Sequence, residues 1–293
     1  MPLFRRPDGV LLRDVPPVRA IMPYLMRGRN ESVVYHETYL DLTRTLPWLD
    51  AWNAARPAGP KATLFHLFLW GCAKALHERP GLNRFVSNGR IYQRRGVFLS
   101  FAAKKGFRDD TPLATIKLEF PKDEPFETCV ARLAGGIREG RSDRLRPVDK
   151  ETRFFTRFPG WLLRLAIGLA RFLDRHNLLP YAMMRHDPFY ASLFAANLGS
   201  VGIDNTFHHL YEYGTVSLFG VLGKVGPRVV VGADGRPEVR TQVQVRWAFD
   251  ERINDGLYCA GSLRIAAEVV EDPERAVGPP GAASGGGEGK GSG

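Results

Sequence analysis

Two places in the chain set residues of the right type and spacing for chemistry. In residues 243–256, VQVRWAFDERINDG, Val243, Val245, Trp247 and Phe249 alternate with Gln244, Arg246 and Ala248. Period-two alternation is the signature of a half-buried strand. It runs into the polar turn Asp250-Glu251-Arg252 and ends on Asp255-Gly256, so carboxylates stand where proton transfer could be served. The second place is Ala196-Asn197-Leu198-Gly199-Ser200-Val201-Gly202, with the pair His208-His209 a few residues on. There is no glycine-rich phosphate loop, no His/Cys metal cluster and no Gly-x-Ser-x-Gly elbow.

The elements that must position these residues follow from patterning. Residues 1–16 form an extended arm, and a domain spans 17–276. A helix is expected over 21–32, bearing Arg27 and Arg29, then a strand over 33–42. Residues 57–60 are a loop. An apolar helix spans 63–78 with Thr63 as N-cap, and a hairpin turns on Asn88-Gly89. Strands over 97–103 and 113–120 flank a charged loop (104–110), and a helix over 126–139 leads into a charged connector (140–150). A strand over 216–223 and a short hairpin strand over 229–231 precede the final strand, and a helix spans 257–270. Within 154–190 a helix over 161–173 is apolar around most of its circumference. Arg157, Arg164, Arg171 and Arg175, spaced seven, seven and four, give it a basic stripe. Two readings are open: an amphipathic core helix, or an interfacial helix at an anionic membrane or a wall of an acyl-chain pocket. Residues 277–293 are a glycine-rich tail without core-forming residues.

Phe249-Asp250-Glu251-Arg252-Ile253-Asn254-Asp255-Gly256 resembles the Phe-Asp-His-Arg-x-x-Asp-Gly signature of the dihydrolipoyl acyltransferase catalytic domains of 2-oxoacid dehydrogenase complexes. These domains are relatives of chloramphenicol acetyltransferase. Phe194–Gly202 is similar to the same family's Thr-Ile-Ser-Asn-Leu-Gly-x-x-Gly loop. The resemblance covers roughly 17–273, with the 154–190 segment inserted. It implies an α/β two-layer sandwich with a mixed sheet and helices on one face. It also implies a homotrimer with the active-site channel between subunits, and coenzyme A or a small-molecule thioester as ligand. It places Glu251, Asp255 and Gly256 in the catalytic motif, with Glu251 replacing His, and Ala196 where the oxyanion serine stands. Asn197, Leu198, Gly199 and Gly202 fall in the substrate loop, and Arg27, Arg29 and Arg252 are the structural arginines. No lipoyl domain is expected in this chain, and no metal.

The two mismatches decide the expected chemistry. In the family the histidine takes a proton from a thiol. An imidazole pKa near 6.5 suits a thiol near 8.5, whereas a glutamate near 4.3 does not. An alanine cannot donate to an oxyanion. The reading is a stand-alone acyltransferase-like protein, a pseudoenzyme candidate with transfer chemistry weakened, altered or lost. The alternatives are a working acyltransferase using Glu251 or a displaced His208 or His209 as base, and a peripheral membrane or scaffold protein using the 161–173 helix. His208-His209-Leu210-Tyr211-Glu212-Tyr213-Gly214 imitates the superfamily's His-His-x-x-x-Asp-Gly, but Tyr213 holds the aspartate's place.

The net charge of +10 suits polyanions: an anionic membrane surface or a phosphate-rich cofactor. No nucleic-acid module is evident by motif. Cys72, Cys129 and Cys259 have neither pairing nor metal spacing and read as reduced thiols of a cytoplasmic protein. The absence of a signal-peptide core and of a long apolar run argues against export or a membrane span.

Overall fold

The computed structural model describes residues 5–104, 113–141 and 158–282. Most of the charged loop, most of the connector, Arg157 and the tail from 283 lie outside the described residues.

The main sheet has six strands. In spatial order these are β2 (Val33–Asp41), β9 (Pro237–Asp250), β8 (Leu218–Val231), β7 (Leu193–Asn197), β5 (Phe98–Lys104) and β6 (Leu113–Glu119). The β5–β7 and β7–β8 pairs are parallel and the rest antiparallel, so the sheet is mixed. A small sheet sets β1 (Gly9–Leu11) and β3 (Arg84–Ser87) on either side of β4 (Arg90–Arg94).

One face of the main sheet carries the main core under helices α2 (Thr45–Ala54), α3 (Leu64–Glu78), α4 (Phe126–Arg141) and α7 (Gly256–Glu271). Val243, Val245, Trp247 and Phe249 of β9 point into it, all at most 3% exposed. Gly71 lets α3 and α7 approach closely, since a Cβ there would meet Ala266 O and Val269 Cγ1 at 3.1 Å. The opposite face holds a second cluster (Phe194, Phe219, Val221, Ala248) closed by Leu210 and Val216. Burial on both faces makes the end of β9 a fixed platform for the turn that follows.

Thr63 caps α3 as the pattern requires, accepting from the His66 N–H while His66 Nδ1 accepts from the Thr63 N–H. The Asn88-Gly89 turn has positive φ at both positions, 47° and 70°.

Four expectations need correction. The first helix, α1, spans Pro17–Leu25 and not 21–32: Pro17 is its first residue, pre-set for a helix start, so Arg27 and Arg29 lie beyond its end. Helix α2 was not anticipated. The strands expected over 216–223 and 229–231 are one strand, carried across a bulge between Leu222 and Val225. Helix α5 (Gly160–Arg175) is not a core helix, for none of its residues is buried. Two short helices, α6 (Tyr181–His186) and α8 (Pro273–Val277), complete the described α-helices.

Candidate active site

β9 ends on a closed electrostatic knot. Asp250, fully buried, accepts from Arg252 Nε at 2.8 Å and Nη2 at 2.7 Å, from the Ser32 hydroxyl at 2.9 Å and from the Arg252 N–H at 3.1 Å. Arg252 also donates to the carbonyls of Met26 and Arg27. Of Arg27, Arg29 and Arg252, it is Arg252 that pairs with a buried carboxylate. Arg27 and Arg29 do not take that role. The Arg29 guanidinium donates to the carbonyls of Tyr211, Glu212 and Gly214, because the chain end of α1 carries it under that loop. Arg27 is exposed; its backbone N–H donates to Glu31 and its carbonyl accepts from Arg252, while its guanidinium makes no hydrogen bond with a described residue.

Glu251 follows this pair. Its N–H donates to Ser32 O, and its carbonyl accepts from Arg19. Its half-buried carboxylate has neither a hydrogen bond nor an ion pair among the described residues. Asp255 is exposed and caps α7, accepting from the Tyr258 N–H at 2.8 Å, with Arg19 at 3.9 Å. Arg19 was missed in the sequence, although Pro17 marks the helix start that puts it there. Cys259, one turn into α7, is no nucleophile: burial first, and Asp255 second, push its thiol up to about 12.

Around Ala196 the strand β7 ends and a tight turn begins. Asn197 Oδ1 accepts from the Ser200 N–H, the Ser200 hydroxyl donates to Asn197 O, and Leu198 N–H donates to Leu222 O. Gly199 is demanded by space, since a Cβ would lie 2.3 Å from Gly223 O. Gly202 is left-handed, with φ of 74°. Ala196 offers only a methyl group.

Register separates the two candidate motifs. Ala196 pairs with Val221, and Val221 with Arg246. Glu251 lies five residues beyond Arg246, just past the end of β9, or about 17 Å at strand rise. The fold of one chain does not bring Glu251 and Ala196 together, and clefts of about 940, 610 and 560 Å³ are lined by other residues. His208 comes nearer to Ala196. Its ring stacks on Phe219, 3.9 Å between centroids, and Phe219 pairs with Phe194 on the sheet face that Ala196 shares. Burial holds its pKa below the ordinary value. His209 is exposed beside it. Tyr213, which holds the aspartate's place in the His208–Gly214 stretch, donates to Asp187 at 2.7 Å.

Comparison with solved structures resolves the architecture. A probable dihydrolipoamide acetyltransferase from Listeria monocytogenes superposes with a TM-score of 0.61, covering 94% of this chain and 99% of that one at 16% identity. The chain has the dihydrolipoamide acetyltransferase fold. The dihydrolipoamide acetyltransferase of Azotobacter vinelandii gives 0.59 at 18% identity, covering 90% and 93%. Chloramphenicol acetyltransferase gives 0.52 at 13%, covering 90% and 98%. No family model matches the chain. In sequence, 79 residues are 35% identical to component 5 of the chloroplastic pyruvate dehydrogenase complex acetyltransferase of Arabidopsis thaliana. That match spans 27% of this chain and 17% of the plant protein.

Proposed function

We propose that the chain is a coenzyme A-dependent acyltransferase-family protein whose transfer chemistry is weakened, altered or lost. The carrying observation is Glu251 at the motif position. In the Azotobacter enzyme a serine, a histidine and an asparagine four residues beyond it have been examined for roles in the catalytic mechanism. Here the corresponding motif positions hold Ala196, Glu251 and Asp255. A general base is worth roughly 10²–10⁴-fold. One oxyanion donor is worth about 2.7–4 kcal/mol. An ionised carboxylate also disfavours a neighbouring thiolate.

The assembly proposed is a homotrimer with its ligand channel between copies. The strand separation of the two half-sites supports this, as a second copy would have to supply the other half. So do Val18, Ile21 and Leu25, an exposed apolar row on α1 that a neighbour could cover. The ligand would be coenzyme A or an acyl thioester at the Asn197–Gly202 turn. Three buried free cysteines fit a reducing cytoplasm.

The test is thioester exchange between acetyl-coenzyme A and dihydrolipoamide for the unmodified chain, Glu251→Gln and Glu251→His. The expected result is a slow rate that Glu251→Gln leaves unchanged. A robust rate abolished by Glu251→Gln would overturn the proposal in favour of Glu251 as base. The position of His208 supports one further reading, a displaced base; a rate lost in His208→Gln and kept in Glu251→Gln would establish it.

A further inference from the structure

Helix α5 leaves four large apolar side chains in water on one of its faces. Trp161 is 67% exposed, Leu165 60%, Leu169 55% and Phe172 54%. At 100° per residue the four fall within about 80° of one another and run about 17 Å along the axis. Arg164, Arg171 and Arg175 fall within about 40° of each other on the adjoining flank. The helix is held from its other side: Leu173 packs with Leu179, Met184 and Tyr190, and Asp174 accepts from Arg6 at 2.7 Å. Just beyond it Leu178, Tyr181 and Met183 are exposed as well.

The basic flank opens onto a cleft of about 560 Å³ lined by Arg27, Arg29, Arg171, Arg175 and Arg252. Two carboxylates face it, and both are taken. Asp174 is paired with Arg6, and Glu212 accepts from the N–H groups of Arg29 and Asn30. Arg252 is neutralised by Asp250, while Arg27, Arg171 and Arg175 make no ion pair with a described residue. An apolar stripe edged by unpaired guanidinium groups is complementary to one environment: lipid on one side, phosphate on the other.

We propose that the α5 stripe and the arginine cleft together form a docking surface for an anionic phospholipid membrane. The helix lies in the plane of the interface, for at about 17 Å the stripe is far short of a bilayer core of about 30 Å. No described helix is long and apolar enough to cross a membrane. Trp161, Leu165, Leu169 and Phe172 enter the headgroup boundary, and Arg171, Arg175 and Arg27 receive lipid phosphate. This role is independent of whether Glu251 supports catalysis.

The experiment is flotation of the full chain with phosphatidylcholine vesicles, with and without phosphatidic acid, alongside Trp emission. The chain should float with the anionic vesicles only, and its emission should shift to the blue. That shift should vanish in Trp161→Phe, because Trp48, Trp52 and Trp247 are already buried and half-buried Trp70 is held on α3 against Phe126 and the Glu124 carbonyl. Leu165→Ser/Leu169→Ser should abolish flotation. Arg171→Glu/Arg175→Glu should weaken partitioning by roughly 25-fold or more, about fivefold per arginine removed. Both variants alter exposed side chains, so unchanged melting temperatures certify the fold. The proposal is overturned by any of four results: no flotation of the unmodified chain, equal flotation on neutral vesicles, variants that float like the unmodified chain, or a Leu165→Ser/Leu169→Ser variant that changes only the oligomeric mass. Stabilisation by inorganic phosphate without vesicle binding overturns it too, leaving a small-anion site.

Discussion

Replacing Arg252 by methionine removes the cation beneath Glu251 and tests the platform of the motif. The substitution keeps most of the side-chain volume and deletes every guanidinium bond. Asp250 loses its 2.8 Å and 2.7 Å donors and keeps only the Ser32 hydroxyl and one backbone N–H. The carbonyls of Met26 and Arg27 lose theirs as well. Both side chains of the pair are at most 3% exposed, so water cannot replace these bonds. Breaking a buried pair from one side costs about 3–5 kcal/mol. For a chain of this size that is a fall in melting temperature of roughly 6–20 °C.

The control is Arg240→Met, whose exposed guanidinium pairs with Asp41 and Glu238, where water replaces the lost partner and the loss should be much smaller. Asp250→Leu/Arg252→Met removes both charges and should recover most of the loss, because the penalty lies in the orphaned carboxylate rather than in the missing attraction. Urea unfolding of the four proteins measures it. If Arg252→Met costs no more than Arg240→Met, or if the double variant costs the sum of its parts, the knot does not hold the turn as argued.

Two further perturbations act elsewhere. Burial drives the His66 imidazole down to about 4 from 6.5, and its Nδ1 must stay unprotonated to accept from Thr63. Between those pH values the unfolded chain takes up a proton that the folded chain resists, so stability falls as pH falls through the window, by about 3 kcal/mol at its foot. His66→Gln keeps an acceptor without the titration, so urea midpoints from pH 7 to 4 should fall less steeply for it; parallel curves would refute the assignment. In the Asn197 turn, Gly199→Ala must push against a carbonyl 2.3 Å away and should cost about 1–3 kcal/mol. Gly202→Ala meets no atom within 4 Å and should cost only the left-handed backbone penalty of about 1 kcal/mol, and thermal melting ranks the two.

Much of this architecture is written in local chemistry. The Thr63 cap, the Asn88-Gly89 turn and the alternation of β9 are each fixed by a few neighbouring residues, and each was legible. The failures share a cause: the decisive contact is remote. Helix α2 has no capping side chain and carries Pro47 in its first turn, so its signal is the burial of Trp48, Leu49 and Trp52 against other elements. The middle of β8 contains Gly226 and Pro227, which read as a break and are tolerated beside a bulge. The pattern of α5 defines a helix equally well in a core or on a surface, and only its tertiary placement distinguishes them. At the site, the sequence names candidate motif residues but not their separation. The five-residue offset between Arg246 and Glu251 means something only once β7, β8 and β9 are in register.

The residues that match the acyltransferase pattern and those that depart from it differ in what the fold asks of them. Asp250 and Arg252 neutralise each other in the interior. Asp255 caps α7, Gly199 avoids Gly223, and Gly202 takes a left-handed turn. Each has a structural reason to stay, so their presence is no evidence of catalysis. Glu251 and Ala196 are different: the Glu251 carboxylate binds nothing described in this chain, and Ala196 has only a methyl group. Neither side chain makes a polar contact with a described residue, although both are half-buried and Ala196 packs against the second cluster. Glu251→His and Ala196→Ser should therefore each change the unfolding free energy by no more than about 1 kcal/mol. The combined variant should raise thioester exchange if the framework around the lost groups is still that of a transferase. A large loss of stability in either single variant would mean that the fold has come to depend on the substitutions, and that Glu251 is part of the structure rather than a vacated catalytic position.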